Sequence, residues 1–175
     1  TAGRTTLNGE GLQHQDGHGL LFASAYPSCQ AYDPTFSFEV AVLVQRGIER
    51  MYGQGEDIFY YITLLNENYV HPEMPDGVAD GIEKGMYLFR KAPTGPAAIQ
   101  LMGSGAILRE VIAAADLLAN DFGVGANVWS ILGVNQLHRD GMRTQEWNRL
   151  HPDAPPRKSC VEETMSGQSG PVVIS

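Results

Sequence analysis

Cysteine is scarce in this sequence, and long apolar runs are absent. Only two cysteines, Cys29 and Cys160, occur in 175 residues, and they lie far apart without the spacing of a metal site. We therefore expect two reduced thiols and a cytoplasmic location. No apolar run approaches the length of a membrane-spanning helix, and no signal-peptide pattern opens the chain, whose first residue is not methionine. No membrane partner is predicted.

Basic residues are also few. The chain has 12 Lys and Arg against 20 Asp and Glu, giving a net charge of −8. This balance argues against nucleic-acid binding, because that function needs clustered positive charge. The sequence has no Gly-x-Ser-x-Gly nucleophile elbow and no P-loop, which argues against two common enzyme classes. Hydrophobic residues make up 43% of the chain, which is enough for a folded core.

The first part of the chain alternates strand and helix patterns. A short strand is predicted at 27–33, and Asp33-Pro34 is a typical helix start, with a capping carboxylate followed by proline. Apolar residues then recur at helical spacing to about Tyr52. Residues 57–65 are apolar on both faces, which is typical of a buried parallel strand.

Glycine and proline punctuate residues 75–96, which we interpret as an interdomain connection that holds a short strand at 86–90. A second strand–helix–strand pattern follows this connection. Its predicted elements are strands at 97–102, 128–134 and 171–174, and helices at 106–121, 136–150 and 161–165. The alternation predicts an α/β fold made of two mostly parallel βαβ domains, at 1–74 and 97–175.

Residues 4–19 form the segment that is richest in functional residue types. Its glycines exclude a regular helix, so we expect a shaped loop of the kind that often carries binding and catalytic residues. His14 and His18 are four residues apart with Asp16 between them, but a metal site of that spacing needs a helix and a third ligand. Two interpretations remain equally open. The first is an exposed loop whose polar residues cap neighbouring elements. The second is a functional loop in which His14 transfers a proton or orients the substrate.

Polar residues at the ends of predicted strands and turns give further candidates. Asn66 and Glu67 follow a buried strand, where parallel sheets form their ligand crevice, but asparagine also favours ordinary turns. The turn 103–105 contains two of the three glycines of a dinucleotide-binding loop. The third glycine would have to be at position 108, which is Leu108, so an ordinary tight turn is favoured. The His-Arg-Asp segment 138–140 is either an anion site or, more commonly, a solvated helix face.

Several blocks of the sequence together resemble one enzyme family. They are Arg4-Thr-Thr-Leu-Asn-Gly-Glu-Gly-Leu-Gln-His14-Gln-Asp-Gly-His18, Tyr32-Asp-Pro-Thr-Phe-Ser-Phe-Glu-Val-Ala, Glu49-Arg-Met-Tyr-Gly, Tyr60-Tyr-Ile-Thr, Leu65-Asn-Glu-Asn-Tyr69, Leu101-Met-Gly-Ser-Gly105 and Arg139-Asp-Gly141. Through them the chain resembles the homodimeric, bacterial-type decarboxylating component of the pyruvate dehydrogenase complex. The resemblance covers essentially the whole chain, and a related homodimeric 2-oxo-acid dehydrogenase is the nearest competitor.

The resemblance implies a thiamine diphosphate-dependent enzyme with a transketolase-like fold. Members of this family decarboxylate pyruvate and reductively acetylate a lipoyl group on the acyltransferase component. By the same resemblance, residues 1–74 are the later part of the pyrimidine-binding middle domain. Residues 75–96 are then a linker, and residues 97–175 are the first part of the C-terminal domain.

The resemblance also implies which functional residues this chain holds. His14 matches an active-centre histidine near the substrate, and Asp16, His18, Asn66 and Glu67 are active-site-loop candidates without a matched role. The family's Gly-Asp-Gly…Asn motif, which holds Mg²⁺ and the diphosphate, is absent from this sequence, and so is the catalytic glutamate. Because the cofactor supplies the carbanion chemistry, we expect a fragment that holds no cofactor or metal ligands and is inactive alone.

Two other functions stay open. The chain could be a non-catalytic oligomerisation or regulatory module that kept the fold without the chemistry. It could also be an independent nucleotide-binding α/β domain, although the missing third glycine argues against this.

Overall fold

The computed structural model describes residues 17–65, 67–93, 95 and 97–175, which form two β-sheets with surrounding helices. The helices are α1 (Gly19–Ser24), α2 (Ser37–Ile48), α3 (Ala79–Lys84), α4 (Gly105–Phe122), α5 (Val134–Leu150) and α6 (Cys160–Met165). The strands are β1 (Cys29–Tyr32), β2 (Phe59–Ile62), β3 (Tyr87–Arg90), β4 (Ile99–Gly103), β5 (Ala126–Ser130) and β6 (Val172–Ile174). Within these ranges, no helix combines the length and the apolar character needed to cross a lipid bilayer.

The two sheets confirm the predicted α/β fold. The first sheet pairs β1 with β2 in parallel, and α2 lies between these strands along the chain. The second sheet has the order β3-β5-β4-β6, in which β4 runs parallel to both β5 and β6. β3 pairs with β5 in the antiparallel sense, so a strand from the predicted connection forms one edge of the second sheet.

Helix α2 begins later than Asp33-Pro34 predicts. The backbone is still extended at Phe36, and the first helical residue is Ser37. The helix is capped from within, because one carboxylate oxygen of Glu39 accepts hydrogen bonds from the backbone N–H groups of Thr35 at 2.6 Å and Phe36 at 2.8 Å. At its other end α2 continues into one π-helical turn, so the helical segment ends close to the predicted position.

Two short helices, α1 and α3, are absent from the sequence-based prediction, which interpreted their glycines as helix breakers. Gly81 lies inside α3, where a Cβ atom would approach the Cβ of Tyr87 to 2.7 Å, so this glycine allows α3 to pack against β3. Gly85 follows α3 with a φ of +105°, the left-handed geometry that ends many helices. Both glycines therefore serve helix packing and termination rather than a loop.

The core lies between α4 and the second sheet and extends into the first half of the chain. Leu108, Val111 and Ala115 are the buried face of α4, and they pack with Val128 of β5. Phe36, from the loop that follows β1, belongs to the same buried cluster. The two sheets therefore share one packed interior.

Gly105 joins the two halves at the start of α4. Its N–H donates to the carbonyl oxygen of Asp33 at 3.0 Å, and its own carbonyl oxygen accepts from the Thr35 hydroxyl at 2.7 Å. Its φ is +51°, and a Cβ atom would lie 2.6 Å from a carboxylate oxygen of Asp33. Only glycine fits this position without strain.

We expect Gly105→Ala to lower the free energy of unfolding by about 2–4 kcal/mol, because left-handed strain adds to a steric clash. Gly123 provides the matched control, since its φ is +64° and its Cβ position is open. Gly123→Ala should cost only about 1 kcal/mol. Urea denaturation of both variants measures the difference, and equal costs would show that the Asp33 contact does not constrain Gly105.

Candidate functional site

A cavity of about 290 Å³ opens where the parallel strands β1 and β2 end. Its walls come from the segments that follow these two strands. The lining residues are Pro34, Thr35, Phe36, Ser37, Val40, Leu64, Leu65, Glu67, Tyr69 and His71. This is the edge of a parallel sheet at which ligands usually bind.

Glu67, one of the predicted site residues, lines this cavity and is paired with a cation from the second half of the chain. Its Oε2 accepts from Nη1 of Arg109 on α4 at 2.9 Å. The Arg109 guanidinium also lies 4.4 Å from the centre of the Tyr69 ring. The Glu67 side chain is 40% exposed, so the pair stabilises the fold by at most about 1 kcal/mol. Its main effect is to fix a carboxylate at the cavity rim.

Aromatic rings form the rest of the wall. The rings of Tyr69 and His71 lie 4.6 Å apart, and Phe36 meets His71 edge-on at 6.4 Å. Nδ1 of His71 accepts from the backbone N–H of Ser37 at 3.1 Å, which places the proton of a neutral imidazole on Nε2. The hydroxyl of Tyr69 donates a hydrogen bond to the carbonyl oxygen of Thr35. Burial raises the pKa of this phenol above its usual value, and the positive charge of Arg109 offsets part of the rise.

Two carboxylates beside the cavity connect the first sheet to the second. Asp33 Oδ1 accepts from the Thr63 hydroxyl at 2.5 Å, and its Oδ2 accepts from the Ser104 hydroxyl at 3.0 Å. Glu39 is fully buried, and its Oε1 accepts from the hydroxyls of Tyr87 and Ser130, each at 2.7 Å. These carboxylates hold the strand ends together and are occupied by protein donors.

Burial, followed by the neighbouring Glu39 carboxylate, raises the pKa of the Tyr87 phenol. Tyr87 therefore stays protonated and donates a hydrogen bond to Glu39 throughout the physiological pH range.

Comparison with known proteins assigns the chain to a family. Residues 1–72 match the family model of the pyruvate dehydrogenase E1 component middle domain, and residues 85–175 match that of the transketolase-like C-terminal domain. The chain is 56% identical to the pyruvate dehydrogenase E1 component of Pseudomonas aeruginosa over 176 aligned residues, which cover 100% of this chain. The chain belongs to the pyruvate dehydrogenase E1 family. It is also 53% identical to the E1 component of Cupriavidus necator and 48% identical to that of Escherichia coli K12.

The chain corresponds to a small part of these E1 relatives, since the alignments cover 20% of each of the three. Solved transketolases share its fold. A transketolase mutant from Pichia stipitis superposes with a TM-score of 0.63 at 17% identity, over 93% of this chain and 20% of that chain. The transketolase of Campylobacter jejuni gives a TM-score of 0.57 at 21% identity, over 76% of this chain and 19% of that chain. The predicted transketolase-like fold of this E1 segment is thus confirmed.

The structure places two of the five predicted site residues. Glu67 lines the cavity described above, whereas His18 is exposed, immediately precedes α1 and is not among the cavity-lining residues. The carbonyl oxygen of His18 accepts from the N–H of Phe22 at 2.9 Å. His14, Asp16 and Asn66 lie outside the described residues.

The other candidate positions have structural partners. The hydroxyl of Ser104 in the turn 103–105 donates to Asp33, which agrees with a tight turn. In the segment 138–140, Arg139 donates to backbone carbonyls and Asp140 accepts from the N–H of Cys160 at 2.6 Å. These two side chains therefore form neither an anion site nor a solvated face. In the part of the chain that the structure describes, no group of three or more His, Cys, Asp or Glu side chains could hold a metal ion.

The sequence did not indicate His71, which lines the cavity, or Arg109, which pairs with Glu67 at its rim. Each depends on a distant partner, since His71 accepts from Ser37 and Arg109 donates to Glu67. Neither lies in a recognisable motif, and no periodic pattern links the partners. The only sequence feature that could have indicated Arg109 was a basic residue in the predicted helix 106–121.

Proposed function

We propose that this chain is part of a pyruvate dehydrogenase that decarboxylates pyruvate on thiamine diphosphate and transfers the acetyl group to a lipoyl domain. The observation that carries the proposal is the 56% identity to a pyruvate dehydrogenase E1 component along the whole of this chain. The cavity at the carboxyl ends of β1 and β2 supports it, because it offers a polar rim and an aromatic wall where parallel sheets bind ligands.

We assign residues 1–74 to the middle domain, 75–96 to a linker and 97–175 to the C-terminal domain. The two family matches, to 1–72 and 85–175, support a division near this place. Strand β3 would then be the part of the linker that joins the C-terminal sheet.

His14 is assigned a hydrogen-bonding or proton-transfer role toward the carboxylate or carbonyl oxygen of pyruvate. An imidazole suits this role because it titrates near neutral pH. Asp16, His18, Asn66 and Glu67 are assigned supporting roles around the substrate. For Glu67, the pairing with Arg109 supports a positioned anion rather than a free general base.

The described residues do not fit the task of holding Mg²⁺ and the diphosphate. They contain no cluster of metal-ligating side chains, and the buried carboxylate of Glu39 is occupied by protein donors. When bound, the cofactor would supply the stabilisation of negative charge on carbon. We therefore place its ligands in the remainder of the enzyme and propose that this chain is a fragment, inactive alone.

The remaining partners follow from the family. We propose a second subunit in a homodimer, the lipoyl-bearing acyltransferase component, and a cytoplasmic location. Exposed apolar side chains support an assembly in which further protein covers this surface, among them Phe22, Tyr52, Val70 and Phe122. The two free thiols agree with a reducing compartment.

The proposal is tested with the protein encoded by the complete gene. With thiamine diphosphate and Mg²⁺ present, it should release CO₂ from pyruvate and acetylate a lipoyl domain. The upstream sequence should contain the Gly-Asp-Gly…Asn motif and a catalytic glutamate. If the complete protein lacked both and released no CO₂, the chain would belong to a non-catalytic oligomerisation or regulatory module.

The 175-residue chain by itself should show no measurable thiamine diphosphate binding in calorimetry with Mg²⁺, because we place most of the cofactor's ligands in the remainder of the enzyme. The intact enzyme, titrated under the same conditions, is the positive control. Saturable micromolar binding by the isolated chain would contradict the fragment proposal.

A further inference from the structure

The ion pair of Glu67 and Arg109 brings charge from the second half of the chain to the cavity of the first half. Among the described residues that line this cavity, Glu67 is the only Asp, Glu, Lys or Arg. Arg109 lies behind the lining, where its Nη1 donates to Oε2 of Glu67 at 2.9 Å and its guanidinium lies 4.4 Å from the centre of the Tyr69 ring. The net charge at the cavity rim therefore depends on a residue of α4.

The other charged groups beside the cavity are negative. The carboxylate of Glu39 accepts hydrogen bonds from the backbone of two lining residues, and Asp33 directly precedes a third. His71 adds no positive charge in this geometry, because its Nδ1 accepts a backbone N–H and so carries no proton. Within the described ranges, Arg109 is the only Lys or Arg that contacts a lining residue through a hydrogen bond, ion pair or cation–π contact. Without Arg109, the charges named here would all be negative.

The sign of this charge matters because the substrate of the proposed reaction is an anion. Pyruvate carries a carboxylate at neutral pH, and a Glu67 without its cation would repel it. By Coulomb's law, one unit charge about 6 Å away changes binding about 3-fold in water and about 10-fold at half that dielectric constant. The side chains of Glu67 and Arg109 are 40% and 33% exposed, so this effect should also be screened by salt.

We infer that Arg109 is a specificity-determining residue, which admits an anionic 2-oxo acid to the cavity by neutralising Glu67. This role rests on the proposed function, which supplies the anionic substrate and its entry into this cavity. Arg109 needs no contact with the substrate to exert it, and we assign Arg109 no catalytic role. The C-terminal half of the chain then controls which ligand charge the cavity in the first half accepts.

Two single substitutions in the intact enzyme should shift the KM for pyruvate in opposite directions. Arg109→Ala leaves Glu67 uncompensated and should raise KM about 3- to 10-fold. Glu67→Gln keeps the shape of the side chain, leaves the positive charge of Arg109 in excess and should lower KM by a similar factor of about 3 to 10. An ion pair that only stabilised the fold would not lower KM in either variant. Any pattern other than opposite shifts would overturn the inference.

Further variants separate charge from hydrogen-bond geometry. Arg109→Lys keeps the positive charge but not the planar fork, so its KM should stay within about twofold of wild type. Arg109→Gln removes the charge but keeps a donor for Glu67, so it should raise KM as Arg109→Ala does. It provides the same comparison should Arg109→Ala fail to fold. A Lys variant as impaired as the Gln variant would show that charge is not the cause.

Ionic strength gives a readout that a purely structural role would not move. The ratio of the KM values of Arg109→Ala and wild type should fall toward 1 as NaCl is raised from about 20 mM to about 500 mM, because salt screens exposed charges. A ratio that does not change with salt would contradict the role of Arg109.

Arg90→Ala is the matched control. Arg90 pairs with Asp116 at 2.9 Å, the side chains are 37% and 56% exposed, and neither residue lines the cavity. The KM of this variant should stay within about twofold of wild type, and an increase equal to that of Arg109→Ala would overturn the inference. Wild-type enzyme that releases no CO₂ from pyruvate would refute the proposed function and this role with it. Wild-type turnover without the opposite KM shifts would refute only the role of Arg109.

Discussion

Replacing His14 by alanine in the intact enzyme should lower kcat by about 10²- to 10⁴-fold, the range by which a positioned acid–base group accelerates proton transfer. Thiamine diphosphate affinity should stay nearly unchanged, because the assigned role of His14 is toward the substrate. Steady-state kinetics with pyruvate and calorimetric titration of the cofactor measure the two quantities separately.

His151→Ala is the matched control for this variant. His151 is exposed in the loop after α5, where its ring stacks on Trp147 at 4.4 Å, and we assign it no role in the reaction. It should keep kcat within about twofold of wild type, as expected for a surface change. The role of His14 would be wrong if its loss abolished cofactor binding while catalysis on bound cofactor stayed normal.

The long helices could be predicted because their apolar residues repeat with helical spacing. The predicted helix at 106–121 is observed as α4, and its buried residues include Val111 and Ala115. Strand ends were less accurate. The apolar run 128–134 predicted a strand, whereas β5 ends at Ser130 and the buried residues Ile131 and Leu132 continue beyond it. Burial alone therefore does not distinguish a strand from the buried turn that follows it.

The short helices α1 and α3 could not be predicted, because tertiary contacts outweigh local preference in them. Residues 79–84 contain Gly81, which disfavours an isolated helix. In the folded chain the absence of a Cβ atom at Gly81 lets α3 lie against Tyr87, so packing offsets the lost propensity. Helix α1 likewise has tertiary contacts, since Ala23 packs with Cys29 and Ala31 of β1 and its carbonyl oxygen accepts a hydrogen bond from Arg139, more than 100 residues away in sequence.

The candidate site was predictable only at Glu67, where a polar residue follows a buried strand. Its partner Arg109 and the neighbouring His71 come from positions that no local pattern connects to it. Only the resemblance of residues 4–18 to a known family, and not their chemistry, favours a catalytic His14 over an exposed loop without a catalytic role. Spacing and residue type had left those two interpretations equal.

The buried Glu39 makes the second large effect predictable from the structure. Glu39→Ala should lower the free energy of unfolding of this chain by about 3–5 kcal/mol, because four donors would lose their acceptor in a buried site. These donors are the backbone N–H groups of Thr35 and Phe36 and the hydroxyls of Tyr87 and Ser130. Urea denaturation measures the loss.

Glu39→Gln distinguishes the hydrogen-bonding role from the space that the side chain fills. The amide oxygen can still accept from the two backbone N–H groups, and the amide N–H₂ can donate to the hydroxyl oxygens of Tyr87 and Ser130, which act as acceptors after rotation. Glu39→Gln should therefore lower the free energy of unfolding by only about 1–2 kcal/mol, because only the hydrogen bonds with the two hydroxyls are weakened. Glu146→Ala, on the exposed side of α5, should cost less than about 0.5 kcal/mol. A Glu39→Ala variant as stable as Glu146→Ala would show that Glu39 does not connect the two sheets.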